Sequence, residues 1–397
     1  MKQDNDNISW SKSFKKAYRD EWLSITTDKA VVSTFISMSL LILVIYSMIY
    51  NKEVVYEVPV AAIDQDFSKS SRDFINMVDA SPQVKTITKY ADLASAKKAL
   101  YAGDIEGIFI VPSRFGKDIR TNRQPTVSIY ADAANMLLYR AVYGSAITAQ
   151  AYYNGGIKVK KAIASGTGLT AISPLNINTT NLFNPSGGYG TYLIPTVAVL
   201  ILQLVILLSI GILGGTGNEL RAHDEKEAIV GARKLMPRLL GRASLYLSIF
   251  IVVIPIQFGL VFYFFSFPLR TTLAAIYLFS LPYILALVFM GIFISYFFQK
   301  REDAILFLSI LVLPALMMSG LSYPTEGLNP LAQYAGELIP STAGARGMIK
   351  LTQLGANFNE VYQEWAKLWG LALFYFLLAA IFQKFRKSSR STKRQVQ

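Results

Sequence analysis

Six apolar runs punctuate the chain: Val31–Tyr50, Tyr192–Leu213, Ala243–Phe267, Leu273–Phe298, Ala304–Leu321 and Trp365–Phe382. Each is close to the roughly 20 residues that carry an α-helix across a bilayer. Ala304–Leu321 is the shortest uninterrupted one. Lys367 lies near one end of the last run, where its long stem lets the ammonium reach the interface. The first run follows a polar lead and lacks a small-x-small site, so it reads as a retained span and not as a cleaved leader. Within that lead, Trp10, Phe14, Tyr18, Trp22 and Ile25 recur at helical spacing, with Lys12, Lys15, Lys16 and Arg19 between them. The spacing predicts an amphipathic helix over 8–29, in an interfacial segment 1–29. Its aromatic and basic faces suit a helix lying flat at a membrane surface. Two uses fit: an anchor beside the first span (30–50), or an anchor that also docks a soluble partner.

The longest polar stretch, 51–190, alternates two periodicities. Val54–Ile63, Val84–Tyr90, Ile108–Val111 and Val127–Tyr130 read as strands. Ser68–Val78 and Leu93–Ala102 read as helices, the second stopped by Gly103. Asn135–Ala164 reads as a long helix interrupted near Gly155 and Gly156, and Gly166–Gly190 as a return linker. The stretch is large enough for its own core, so the fold class is an α-helical membrane protein: six spans, with a mixed α/β extracytoplasmic domain between the first and second. Asp64 and Asp66 form a close carboxylate pair, which a turn and a helix cap explain better than acid/base chemistry.

Composition narrows the classes. Hydrophobic residues make up 52% and charged residues 16%, against about 25% charged in a soluble domain. With no cysteine and one histidine, His223, thiol chemistry, thiolate metal sites and multi-histidine zinc are excluded. No phosphate-binding loop, His-Glu-x-x-His or G-x-S-x-G motif occurs. The clusters Gly166-Thr167-Gly168 and Gly214-Gly215-Thr216-Gly217 read as turns. The net charge of +13 is explained by orientation. With six spans, one set of segments (1–29, 215–242, 299–303, 384–397) holds twenty Lys and Arg, and the short loops opposite (267–272, 322–366) hold three. Positive residues stay inside. Both termini are therefore expected in the cytoplasm, with 51–190 outside. The basic tail, 386–397, meets anionic lipid head groups, and no nucleic acid is needed.

Two segments between spans 2 and 6 (191–385) carry the functional hints. The cytoplasmic loop 215–242 opens acidic (Glu219, Asp224, Glu225, Glu227) and closes basic (Arg233, Lys234, Arg238, Arg242). Ala228–Leu240 is helix-compatible until Pro237. A solvated loop obeying the charge bias and a handle for a soluble partner both fit. The segment 314–355 is broken by Pro314, Pro324, Pro330 and Pro340. Half-helices dipping in from the outer face, over 322–355, and a surface loop of turns both fit it. The first would make Met317, Met318, Pro324 and Pro340 part of a gate. Gln203 and Gln257 are the amides well inside spans. They would line a pathway or serve as interhelical hydrogen bonds.

Taken together, the chain resembles the permease subunit of ABC-2-type exporters, in the subgroup with a large outer domain between the first two spans. VAAIDQDFS (Val60–Ser68), AKKALYAGDIEGIFIVPSRF (Ala96–Phe115) and VSIYADAAN (Val127–Asn135) resemble that domain's opening strand and turn, its helix–strand unit and its closing strand. Glu219-Leu220-Arg221 and Gly241-Arg242 resemble the ends of the family's coupling segment, and Gly320 through Pro324 and Pro340 to Arg346 its outer re-entrant segment. Where the family commonly has Gly-Thr after the coupling glutamate, this chain has Ala222-His223-Asp224. The resemblance implies a half-transporter: two permeases pairing as a homodimer or with a related chain, driven by separate ABC ATPase subunits that hold ATP and Mg2+. This chain would bind no cofactor and catalyse nothing. Glu219, Arg221, Glu225 and Glu227, with Gly241 and Arg242, would face the ATPase, and the N-terminal helix would be a second contact. The pathway would use spans 2 and 5, the outer domains would form an exit vestibule, and an envelope adaptor is a further partner this layout admits. A receptor or scaffold whose outer domain binds a ligand or envelope partner is the alternative reading.

Overall fold

The computed structural model describes residues 9–50, 54–121, 123–131, 135–165, 184, 188–223 and 235–393. The chain forms two compact units: Met1–Asn51 with Leu182–Gln397, and the inserted Lys52–Asn181.

The chain opens with α1 (Trp10–Thr27). At Asp28 the backbone leaves helical geometry, and its carboxylate accepts hydrogen bonds from the Ala30 and Val31 amides at 2.9 and 3.3 Å. This N-cap starts α2 (Lys29–Ile36). A π-helical stretch (Ser37–Ile42) then leads into α3 (Leu43–Ile49), and Lys29–Ile49 is one continuous apolar rod. The buried stripe of α1 is Ala17, Glu21 and Ile25. Trp10 and Trp22 stay exposed, with Trp10 stacked on Phe14 at a centroid distance of 5.5 Å. Tyr18 packs on the core. The inward face is thus built from a small residue, an acid and Ile25, and it leaves Trp10 and Trp22 on the exposed side.

The inserted unit runs β1 (Val58–Asp64), α4 (Lys69–Asp79), β2 (Val84–Ile87), α5 (Leu93–Ala102), β3 (Gly107–Val111), α6 (Phe115–Arg120), β4 (Ser128–Ala131) and α7 (Met136–Ser165). Its sheet has the order β2-β1-β3-β4. β1 is parallel to β2 and β3, and β4 is antiparallel to β3. The period of two decides the layers. Val58, Val60 and Ala62 point into a core with α4 and α7, while Ala61 and Ile63 point into a core with α5. Ser68 caps α4 and Asp92 caps α5, which ends at Gly103 with φ 78°. Asp64 accepts from the Asp66 and Phe67 amides and the Ser71 hydroxyl, and Asp66 accepts from the Gly116 amide at 2.9 Å. These bonds to Ser68 and Gly116 hold the Asp66 carboxyl below its ordinary pKa. α7 runs unbroken through Gly155 and Gly156. Each glycine weakens a helix by about 1 kcal/mol but removes no backbone hydrogen bond. The same helix lies so close to β3 that a Cβ on Gly107 would meet Val142 Cγ1 at 2.7 Å.

The chain then returns through α8 (Tyr189–His223), α9 (Leu235–Ile254), a π-helical stretch (Pro255–Val261) and α10 (Phe262–Phe264). α11 (Leu273–Ser295) and α12 (Arg301–Met318) follow. Short α13 (Pro330–Glu337) and α14 (Pro340–Ile349) precede α15 (Tyr362–Lys393). Five helices are long and apolar enough to cross a membrane: Lys29–Ile49, Tyr189–Leu220, Leu235–Phe264, Leu273–Ser295 and Phe358–Lys384. α12 opens with Arg301, Glu302 and Asp303, so its apolar part is shorter. α11 is apolar on all sides and forms the centre, with Phe279, Tyr283 and Leu287 buried. Two sequence expectations change here, and one open choice is decided. Gly214 to Gly217 are not a turn but part of α8, which reaches His223. A Cβ on Gly214 would collide with Ser295, and one on Gly215 with the Lys300 backbone. Pro237 lies in the first turn of α9, where its missing N–H costs no helical bond. The segment after α12 forms short helices rather than a loop of turns, and α14 is buried along most of its length.

Candidate coupling and pathway sites

Gly241 and Arg242 meet α1 directly. A Cβ on Gly241 would lie 2.5 Å from the Phe14 carbonyl oxygen and 3.0 Å from Ala17 Cβ. The bare glycine therefore brings the two helices into backbone contact. One residue on, Arg242 donates through Nε and Nη2 to the two carboxylate oxygens of Glu21, both at 2.8 Å. Tyr246 adds its hydroxyl to Glu21 Oε1 at 3.1 Å. Glu21 is 8% exposed and Tyr246 is fully buried. A bidentate fork fixes orientation as well as distance. It makes α1 part of the body of α9. Sequence reading named Gly241 and Arg242 but missed Glu21 and Tyr246. The signal for Glu21 was an acid spaced four residues from both Ala17 and Ile25, in register with the buried stripe.

Two further contacts tie this end of the bundle together. Asn218, near the end of α8, donates to the carbonyls of Ser295 and Phe298 at 3.0 and 2.8 Å, which satisfies the carbonyl end of α11. Arg301, opening α12, reaches Asp28 at 3.4 Å. Glu219 is half-buried on α8, and among the described residues its side chain has no hydrogen bond or ion pair to Gly241, Arg242 or α1. Arg221 lies in the last turn of α8. Glu225 and Glu227 lie outside the described residues.

The structure places the two span amides in interhelical bonds. Gln203 on α8 accepts from the Ser341 amide at 3.2 Å, capping the start of α14, whose first residue is Pro340. Gln257 donates to the Ser39 carbonyl at 2.8 Å, joining the two π-helical stretches of the first and third apolar rods. π-bulges loosen the backbone ladder and are frequent at functional positions. α14 is seated by its glycines: a Cβ on Gly344 would meet Tyr283 at 2.9 Å, and one on Gly347 would collide with Phe279. Met318 packs on Gly336 of α13, Met317 is largely exposed, and Pro324 is exposed at the start of a 3-10 turn. Of the candidate gate residues, Pro340 adjoins the Gln203 contact through Ser341.

At the α13–α15 end lies an ion network that sequence reading missed. Glu337 binds Arg346 at 2.5 Å and also Lys367, while Lys350 binds Glu364 at 2.7 Å. Lys367 thus meets a carboxylate of the protein while about one-third of its side chain stays exposed. Its partner lies on another helix, at a sequence separation that no periodicity reports.

These features define a multi-pass helical membrane protein carrying an inserted α/β unit. The family model described as ABC-2 family transporter protein matches residues 29–381. The chain belongs to that family and is a membrane permease of a transport system. No curated protein matches it.

Proposed function

We propose that this chain is the transmembrane subunit of an ATP-binding-cassette exporter in a bacterial cytoplasmic membrane. It spans six times, counting α12, with both termini inside and the inserted unit outside. It pairs with a second copy or a related permease and is driven by separate ATPase subunits that bind ATP and Mg2+. The observation that carries this reading, beside family membership, is the clamp of α1 onto α9. A buried bidentate pair makes the interfacial helix and the helix after the acidic–basic segment one lever. Force applied to either by a soluble motor reaches the spans without loss to side-chain slack. Glu219, Arg221, Glu225 and Glu227 are the residues we assign to the motor contact. Gly241 and Arg242 serve to hold the lever. A motor biases the permease only if it binds its two arrangements differently.

Purification from native membrane tests this. A nucleotide-binding subunit should copurify in equal amount. The double variant Glu219→Lys, Glu227→Lys should insert normally yet lose most transport-linked ATP hydrolysis. Unchanged stimulated hydrolysis removes that assignment, and a chain isolated without any ATPase favours a receptor or scaffold.

A further inference from the structure

The sheet of the inserted unit has one edge that its own elements leave open. β4 ends the strand order, and among the described residues no strand pairs with its outer edge. Ser128, Ile129 and Tyr130 are exposed. An edge strand presents alternating N–H and C=O groups that can template another strand. Here that edge forms the floor of a slot of about 460 Å³. α5 contributes Lys97 and Tyr101, β4 contributes Ile129 and Tyr130, and α7 contributes Tyr139 and Tyr143. α5 and α7 pack on opposite faces of the sheet. The slot therefore does not sit on a face. It continues the plane of the sheet, with a helical wall on each side.

The walls are chemically specific. Tyr139 and Tyr143 stack at 5.7 Å with an interplanar angle of 6°, giving one flat aromatic wall. Tyr101 is 84% exposed and Tyr143 48%. Rigid tyrosines supply contact area at low entropic cost. Lys97, the one charged residue among those lining the slot, holds its ammonium 5.5 Å from the Tyr130 ring centroid. We infer that this slot takes an extended segment of another polypeptide as a fifth strand on β4. That segment has alternating apolar side chains and a carboxylate facing Lys97. Main-chain bonds supply affinity in such strand addition, and the side-chain walls supply selectivity. A second copy is a poorer occupant. Lys97 lies on α5, and the residues that line the slot, which a two-fold related copy would present in turn, include no carboxylate to face it. The inference does not depend on the transport reading.

The test uses the full chain in nanodiscs and fluorescence anisotropy. The probe is a labelled seven-residue peptide of alternating valine and threonine with one central glutamate. It should bind, and replacing its glutamate by lysine should weaken binding about tenfold, the factor that corresponds to 1.4 kcal/mol. Lys97→Glu should reverse that preference. N-methylation of alternate peptide amides should abolish binding in one phase and spare it in the other, since only one edge of the peptide meets β4. Equal binding by both methylated series, absence of charge discrimination, or no binding at about millimolar peptide overturns the inference. So does a disulfide-linked dimer of the Ile129→Cys variant, which would assign the slot to a second copy; the chain has no other cysteine.

Discussion

The two ends of the helical unit solve the same problem, charge among apolar helices, in different ways. Where α1 meets α9, one acid faces one arginine in a two-point fork, with a tyrosine on the remaining lone pair. Where α13 turns into α14, Glu337 is shared between Arg346 and Lys367, and all three side chains are about one-third exposed. A desolvated fork has one good geometry and loses several kcal/mol if halved. A half-wet, three-membered cluster has several arrangements close in energy, and each pair contributes at most about 1 kcal/mol. The first end is built to move as a body. The second is held less tightly by its charges.

The largest effect expected is from halving the fork. Glu21→Leu leaves Arg242 charged and unpaired, and should cost about 3–5 kcal/mol. Thermal unfolding in detergent and protease cleavage within α1 would read the loss. Adding Arg242→Leu should recover most of it, and failure to recover would mean that the pair is not what holds α1. Gly241→Ala tests the close approach alone. Overpacking against the Phe14 carbonyl should cost about 1–3 kcal/mol, with α1 cleavage rising in step. Glu337→Gln should shift stability by about 1 kcal/mol or less, and added salt should shrink the difference. A loss as large as that of Glu21→Leu would erase the contrast between the two ends.

The smallest effect concerns the inserted unit and appears only in acid. The Asp66 carboxyl sits below its ordinary value of 3.8 because Ser68 and the Gly116 amide bond its charged form. Its folded-state pKa is depressed, so its contribution is present above that ordinary value and is lost as pH falls through the lower, folded one. Asp79 and Asp92 are held low in the same way by Thr86 and Ser95. Asp66→Asn should therefore flatten the acid limb of the unfolding curve below about pH 4 while changing little in the shape near neutrality. Circular dichroism against pH measures both.

Much of the molecule is legible in one dimension because its causes are local. A period of two sets each strand's faces, and Ser68, Asp92 and Gly103 mark helix ends through bonds spanning a few residues. Apolar length marks the rods. What one dimension hides has a shared cause. Gly214 to Gly217 look like a turn because glycine usually supplies backbone freedom, but here it supplies room for Ser295 and Lys300. The pairing of Lys367 is not legible because its partner, Glu337, lies on another helix. The inward face of α1 is hidden from a one-dimensional reading because Glu21 is buried by an arginine 221 positions away. Amino-acid order by itself determined which segments are helix, strand or rod, since those depend on hydrogen bonds and burial along a single element. Only the tertiary structure decided which helix each polar side chain locks to, because a buried charge is tolerated by its partner's placement in space, and that placement is a property of the packed whole.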